Sequence, residues 1–301
     1  VFLVILMVIC IVKLLILIIL LVFGGMGLFD SICHAFTTTS TGGFSTKQTS
    51  IEYYHSPYID YVISVFMFLS GVNFTLLLLM FNGKIKKFIH DAELKFYFMS
   101  VAFFTVFIAV WLYQTSSMGA EEAFRKSLFQ VISLQTSTGF ATADYMLWPS
   151  ILWGCLLIVM IMGACAGSTT GGIKCIRMVI LFKVAKNEFK HILHPNAVLP
   201  VRVNKQVIQS TVLAFTFLYA IIAIISILVM MGFGVGFLES IGTVISSIGN
   251  MGPGLGTCGP AFSWSELPDA AKWLLSFLML LGRLELFTVL LLFSSDFWKR
   301  N

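Results

Sequence analysis

The chain has very little charge for its length. Of its 301 residues, 11% are Asp, Glu, Lys or Arg and 58% are hydrophobic, whereas a soluble domain carries about 25% charged residues and roughly 45–50% apolar ones. Too few polar side chains are present to cover a water-soluble domain of this size. The formal net charge of +5 is not gathered on a polar fold, which excludes a nucleic-acid-binding domain. The composition therefore predicts an integral membrane protein.

Several sequence motifs are also absent. The six cysteines form no CxxC pair, and those in or beside apolar runs should be small buried hydrophobic residues (Cys10, Cys155, Cys165 and Cys175). No GxGxxG follows a predicted strand and no GxxxxGK[ST] occurs, so we expect no nucleotide site in this chain. Because GxSxG is missing and no two acids share the centre of an apolar segment, a membrane-embedded enzyme is a remote alternative.

Six apolar segments are present that could cross a membrane. A helix that spans a hydrocarbon core of about 30 Å needs roughly 20 apolar residues. The segments are 1–23, 58–81, 96–114, 150–181, 207–231 and 272–293. The fourth is interrupted by the glycine-rich stretch 163–172, which is too rich in glycine to form regular helix.

Basic residues are concentrated in alternate connections between these segments. Segments 82–95 and 174–205 and the C-terminus hold 13 of the 19 Lys and Arg residues. The opposite side carries mostly acids, among them Asp30, Glu121 and Glu239. Because cytoplasmic loops are enriched in Lys and Arg, the basic side is predicted to be cytoplasmic.

The three external connections share one pattern: a short helical stretch followed by a polar glycine turn. The stretches are Leu28–Thr39, Glu122–Thr136 and Phe237–Gly249, and the turns that follow place Gly42, Gly139 and Gly252 in register. Irregular backbone at membrane depth is tolerated only where it is buried in protein or lines a water-filled cavity. Carbonyl groups of such a turn can replace the hydration shell of a cation. One turn alone would favour a plain external loop, but three in matching positions predict a selectivity filter.

With these motifs the sequence resembles the Trk/Ktr/HKT superfamily of potassium transporters, and within it the bacterial TrkH/TrkG type. The likeness extends over essentially the whole chain. Its carriers are His34-Ala-Phe-Thr-Thr-Thr-Ser-Thr-Gly-Gly-Phe-Ser-Thr46, Thr136-Ser-Thr-Gly-Phe-Ala-Thr142, Cys165-Ala-Gly-Ser-Thr-Thr-Gly-Gly-Ile-Lys174, His194-Pro-Asn-Ala-Val198, Asn250-Met-Gly-Pro-Gly-Leu-Gly256 and Gly282-Arg-Leu-Glu-Leu-Phe287.

The resemblance implies an all-α integral membrane protein with a pseudo-fourfold pore of span–re-entrant pore helix–span repeats. Three of the four repeats are expected here: the second over 1–82, the third over 94–194 with its broken helix and gate loop at 163–172, and the fourth over 206–296. The first repeat is expected upstream of Val1.

The resemblance also assigns candidate site residues. The predicted selectivity filter comprises Thr41, Gly42, Gly43, Thr138, Gly139, Phe140, Asn250, Met251 and Gly252. Potassium, the one ion expected to bind, would contact Thr41, Gly42, Thr138, Gly139, Met251 and Gly252. The predicted gate comprises Gly163, Ala166, Gly167, Ser168, Thr169, Thr170, Gly171, Gly172 and Arg283. Without the family, the glycine-rich loop could equally be a kink that allows tight helix packing.

Arg283 is expected to project toward the pore as an electrostatic barrier that hydrogen-bonds carbonyls of the gate loop. The alternative is a structural ion pair with Asp60, because Glu285 lies two residues away on the same helix and would not face Arg283.

The implied function is potassium uptake across the inner membrane of a bacterium, with no enzymatic activity. Expected partners are the lipid bilayer, a second copy in a homodimer, and a cytosolic TrkA-type RCK regulator that binds NAD or ATP. The alternative is a sodium- or proton-coupled secondary transporter with inverted repeats. All three repeats share one orientation, which argues against it.

Overall fold

The computed structural model describes residues 2–81, 83–193, 202–203, 206–207, 210–284, 286–292 and 298, and these residues are predominantly helical. The first group of helices is α1 (Phe2–Phe23), α2 (Leu28–Thr39), α3 (Pro57–Gly71) and α4 (Phe74–Phe81), followed by a short connecting helix, α5 (Ile85–Ile89). The second group is α6 (Ala92–Thr115), α7 (Ala120–Gln135), α8 (Ser150–Met162) and α9 (Cys175–Leu193). The third is α10 (Ser210–Gly232), α11 (Phe237–Gly249), α12 (Asp269–Arg283) and α13 (Leu286–Leu292).

Smaller elements join these helices. Two-residue strands, β1 (Arg202–Val203) and β2 (Gln206–Val207), pair antiparallel between α9 and α10. Short 3₁₀ helices lie at Ser50–Tyr54, Tyr145–Leu147, Gly256–Cys258 and Trp264–Glu266. They follow the three glycine turns and lead the chain back to the next long helix.

Each group contains one short helix with a buried face, at the position that the sequence predicts. These helices are α2, α7 and α11, and each has an acidic residue in its first turn: Asp30, Glu121 with Glu122, and Glu239. A negative side chain is favourable at this end of the helix dipole. The last turns of α7 and α11 are completely buried. The prediction of a short re-entrant helix before each turn is confirmed.

The second long helix of every group is broken, which the sequence analysis predicted for only one of them. The expected continuous helix over 58–81 is wrong, because the chain bends by 104° between α3 and α4. The segment 272–293 is likewise divided between α12 and α13. In the first case, the amide of Phe74 donates to the Gly167 carbonyl (3.1 Å), so a tertiary contact takes the place of an intrahelical bond.

Two of the helices in the described part of the chain, Ala92–Thr115 and Thr211–Gly232, are long and apolar enough to cross a membrane. The bent pair of α3 and α4 could form a third span. Large apolar side chains such as Phe103 and Phe217 lie exposed on α6 and α10, as lipid-facing positions would be.

The buried core divides into two main clusters. The larger one joins the first two groups of helices around Tyr97, Phe129 and Tyr145, each with no exposed surface. The other lies within the third group, around Leu275 and Leu278. Met251 belongs to the larger cluster although it follows α11. The turns after the short helices therefore hold the three groups together.

Candidate pore and gate loop

The three turns have the same backbone conformation, and it fixes their register. Each turn begins with a residue that has φ = +54°: Thr41, Ser137 and Asn250. The amide of the next residue bonds back to the short helix: Gly42 to Thr37 (2.7 Å), Thr138 to Ser133 (2.9 Å) and Met251 to Ser246 (3.0 Å). A glycine with positive φ follows: Gly43, Gly139 and Gly252.

The backbone conformation shifts the predicted alignment of the first turn with the other two by one residue. Gly43, and not Gly42, is equivalent to Gly139 and Gly252. Gly42 corresponds instead to Thr138 and Met251, positions that carry side chains. Phe140 lies one position beyond the glycine, in register with Phe44, and its buried ring packs against His34 with 5.8 Å between ring centroids.

The equivalent glycines bring neighbouring turns into direct backbone contact. A Cβ on Gly43 would overlap the carbonyl oxygen of Thr138, and a Cβ on Gly139 would overlap that of Met251. Each glycine thus lies against the carbonyl of the next turn along the chain. The turns form an ordered arc in which the first touches the second and the second touches the third. Among the described residues, no atom would lie within 4 Å of a Cβ on Gly252.

A cavity of about 750 Å³ lies against all three turns. Its lining residues include Thr41–Gly43, Thr138–Gly139, Asn250–Gly252 and Arg283. Among the described residues, no group of three or more His, Cys, Asp or Glu side chains is placed to hold a metal ion. The residues that line this cavity could offer a cation backbone carbonyl oxygens and the side-chain oxygens of Ser40, Thr41, Thr138 and Asn250.

Polar side chains fix the first turn to its short helix. The Asp30 carbonyl can only accept from His34 Nδ1 (2.7 Å), so the neutral ring carries its proton there. Nε2 then accepts from the Ser45 hydroxyl (2.8 Å). Thr46 and Lys47 contact the Asp30 carboxylate at 2.7 and 3.1 Å. The hydrogen bond from Thr46, with the contribution of Lys47, lowers the pKa of Asp30 to about 2.

Below the turns, the segment between α8 and α9 forms a loop anchored at its base by the backbone. Gly163, Gly167 and Gly172 adopt positive φ, which a side chain would make costly. The Cys165 amide donates to the Gly71 carbonyl (3.1 Å), and the Gly167 carbonyl accepts from Phe74 (3.1 Å). The break between α3 and α4 therefore exposes the backbone groups that bind this loop.

The tip of the loop, which includes Thr169 and Gly171, is held mainly by side chains of the turns above it. Thr41 Oγ1 lies 3.1 Å from Thr169 Oγ1, and the Gly171 amide donates to Ser137 Oγ (3.1 Å). Thr41 and Ser137 are the equivalent residues with φ = +54° in the first two turns. Sequence reasoning omitted Ser137, because the alignment error displaced the turn by one residue.

Arg283 lies at the end of α12 and reaches the same tip. Its Nη1 donates to the Thr169 carbonyl at 2.8 Å. Asp60 is paired with Arg125 on α7 (2.5 Å) and so does not provide the structural partner considered for Arg283. Glu285, the other acid considered, lies outside the described residues.

A second cavity of about 300 Å³ lies on the far side of the loop. Gly167–Gly172, Lys174, Arg177 and Arg283 line it together with Tyr219. Of the predicted gate residues, Arg283 lines both cavities, and the loop residues of this second cavity reach the first through the contact between Thr169 and Thr41. Two residues that contact the loop are absent from the sequence analysis: Asn73, whose side chain lies against Gly167, and Glu93, described below.

These features define a class: a membrane protein built from repeated helix–re-entrant helix–helix units, with a loop closing the space beneath the turns. A family model, TrkH, described as a cation transport protein, matches residues 1–300. The chain therefore belongs to the TrkH family.

Individual relatives agree with this assignment. The Trk system potassium uptake protein TrkG of Escherichia coli K12 is 39% identical over 280 residues, covering 91% of this chain and 57% of that protein. TrkH of the same strain is 38% identical over 288 residues, with coverages of 92% and 58%. These relatives are named as uptake proteins, not enzymes. The chain spans somewhat more than half of their length.

A solved structure has the same fold. The crystal structure of the potassium transporter TrkH from Vibrio parahaemolyticus superposes with a TM-score of 0.90 at 33% sequence identity. The match covers 95% of this chain and 63% of that one.

Proposed function

We propose that the chain supplies three sides of a pore for potassium uptake across the bacterial cytoplasmic membrane. The observation that carries this proposal is the arc of three equivalent turns, in which Gly43 and Gly139 lie directly against the carbonyls of the next turn. The relatives are named as potassium uptake proteins, which supports potassium as the transported ion.

Ion binding would use the backbone of the arc. A dehydrated potassium ion needs oxygen ligands in place of its water shell. The residues Thr41–Gly43, Thr138–Gly139 and Asn250–Gly252 line the cavity, and their carbonyl groups would supply such ligands. The C-terminal ends of α2, α7 and α11 lead directly into these turns. Their dipoles add negative potential where the ion would lose its water.

The remaining repeat of the pseudo-fourfold pattern, the first in its order, would complete the ring. Gly43 and Gly139 each contact the following turn, whereas no atom of the described part of the chain lies within 4 Å of a Cβ on Gly252. An equivalent turn lying against Gly252 would give it the surroundings that its two counterparts have. The second repeat would then occupy 1–82, the third 94–194 and the fourth 206–296.

The loop 163–172 and Arg283 would form the gate beneath this filter. The loop tip lines the second cavity and is held by Thr41, Ser137 and Arg283. While it stays there, the ion path is closed, and the Arg283 guanidinium adds electrostatic repulsion. Movement of the tip away from Thr41 and Ser137 would open the path.

Control of this gate would come from the cytoplasmic side. The helix α9 follows the loop directly and carries basic residues toward its end, a surface suited to a cytosolic TrkA-type regulator that binds NAD or ATP. In the complete protein two copies would associate as a homodimer. Uptake would be driven by the membrane potential, which is worth about 2.3 kcal/mol per charge per 100 mV.

The decisive experiment compares potassium and sodium flux in proteoliposomes containing the complete protein. We expect potassium flux in the unmodified protein, and loss of potassium preference in Gly139→Ser, because the new Cβ would overlap the Met251 carbonyl at a φ of +84°. Gly154→Ser is the matched control, since Gly154 is exposed on α8 with nothing within 4 Å of its would-be Cβ. The filter assignment fails if neither ion moves or if Gly139→Ser keeps its selectivity.

A further inference from the structure

The helix α6 begins with a buried carboxylate that touches the loop beneath the turns. Glu93 is 5% exposed and lies in the first turn of α6. Its Oε1 accepts from the amide of Ala166 at 2.6 Å and from the amide of Ile176 at 3.2 Å. Burying a carboxylate is costly unless it is hydrogen-bonded, so these two contacts make its position favourable.

The two amides lie on opposite sides of the loop. Ala166 lies in the loop segment that follows α8, and Ile176 is the second residue of α9. The first amides of a helix have no partner within the helix, and a carboxylate is their strongest acceptor. One side chain thus ties the start of the loop, the start of α9 and the start of α6 together.

The base and the tip of the loop are therefore held differently. At the base, backbone bonds from Cys165 to Gly71 and from Cys175 to Ala164 (2.9 Å) accompany the Glu93 contacts. At the tip, the partners of Thr169 and Gly171 are side chains of Thr41, Ser137 and Arg283. A loop with a fixed base can move its tip without unfolding.

We propose that Glu93 is a positioning residue that holds both ends of this loop on α6 and thereby limits how readily its tip leaves the pore. The proposal rests on the gate role assigned to the loop under the proposed function. Glu93 does not line either of the two cavities described above. It acts through the loop and not on the ion.

The helix start offers a matched control. The Asp91 side chain caps α6 by accepting from the amides of Glu93 and Leu94 at 2.9 and 3.0 Å. Asp91→Ala therefore weakens the same turn of the same helix while leaving the Glu93 carboxylate in place. Glu93→Gln keeps an oxygen that can accept both amides but removes the charge, and Glu93→Ala removes the acceptor.

The test measures hydrogen–deuterium exchange of the complete protein in peptides covering 163–176, together with potassium and sodium flux. We expect exchange at least about tenfold faster in Glu93→Ala, because two partly buried amides lose their carboxylate acceptor. We expect a several-fold higher potassium flux without regulator and an unchanged ion preference. Glu93→Gln should restore slow exchange, and Asp91→Ala should leave these peptides as they are.

The outcomes separate this inference from the gate assignment. Unchanged exchange in Glu93→Ala, or exchange in Glu93→Gln as fast as in the alanine variant, overturns the anchoring role. Faster exchange with unchanged flux overturns the gate role of the loop and with it the functional half of this inference. If the alanine variant does not accumulate, Glu93→Asp takes its place. Its carboxylate is one methylene shorter and should not reach both amides.

Discussion

Two neighbouring glycines, Gly42 and Gly43, have different surroundings and should respond differently to the same substitution. Gly43 has φ = +68° and lies against the Thr138 carbonyl, whereas the nearest atom to a Cβ on Gly42 is Ser40 Oγ at 3.3 Å. The left-handed conformation alone costs an L-residue about 1–2 kcal/mol, and the overlap adds to it. We expect Gly43→Ala to lower potassium-over-sodium selectivity about tenfold or more, and Gly42→Ala to change it little.

Measurements of potassium and sodium flux in these two variants show whether Gly43 or Gly42 is the equivalent of Gly139 and Gly252. Thr138 and Met251, the equivalents of Gly42, already carry side chains, so an alanine there has two precedents in the same pore. Equal damage from the two substitutions, or greater damage at Gly42, would contradict the register that the backbone conformation indicates.

The charge and the hydrogen bond of Arg283 can be separated by three substitutions. Arg283→Ala removes both, Arg283→Gln keeps a donor for the Thr169 carbonyl without the charge, and Arg283→Lys keeps the charge. A charge near the ion path at an effective dielectric constant of 20 costs a passing cation about 1–3 kcal/mol. We therefore expect Arg283→Ala and Arg283→Gln to raise potassium flux about tenfold, with Arg283→Lys close to the unmodified protein. Unchanged flux in the alanine variant would remove the barrier role.

At the scale of elements, the short internal helices could be predicted from sequence and the helix breaks could not. Their acidic first turns and the glycine turns that follow are local signals, and the predicted Leu28–Thr39 and Phe237–Gly249 have the bounds that the structure gives them. The break at Val72–Asn73 depends on the bond from Phe74 to Gly167, more than 90 residues away. No local pattern in an apolar segment indicates such a partner.

That break gives a prediction at Asn73, whose side chain caps α4. Its Oδ1 accepts from the Thr75 amide at 2.8 Å, and loss of such a cap costs about 1 kcal/mol. Asn73→Ala should therefore lower the thermal unfolding midpoint of the complete protein in detergent by a few degrees, whereas Asn73→Asp should retain most of the stability because its carboxylate can accept the same bond. Equal midpoints for the alanine and unmodified proteins would exclude the capping role.

For the whole molecule, composition was sufficient to predict a membrane protein, and the repeats were sufficient to predict how its helices are grouped. The joining of the groups was beyond sequence reasoning, because it depends on contacts between turns of different repeats. Gly139 lies against Met251, and Gly171 of the loop lies against the Gly249 carbonyl at the end of α11. Residues of one repeat therefore fix the conformation of another, and the proposed ion site would depend on contacts between repeats.

Because the proposed ion site is shared between repeats, potassium should stabilise the molecule as a whole. A ligand that binds only the folded state stabilises it by about 2.7 kcal/mol at 100 times its dissociation constant. We expect thermal unfolding of the complete protein in detergent to occur at a higher temperature in potassium than in sodium at equal ionic strength. Gly139→Ser should abolish the difference, since its side chain displaces the Met251 carbonyl, and the exposed Gly154→Ser should preserve it. Equal stabilisation by both ions, or a potassium effect that survives in Gly139→Ser, would mean that the three turns do not form a potassium site.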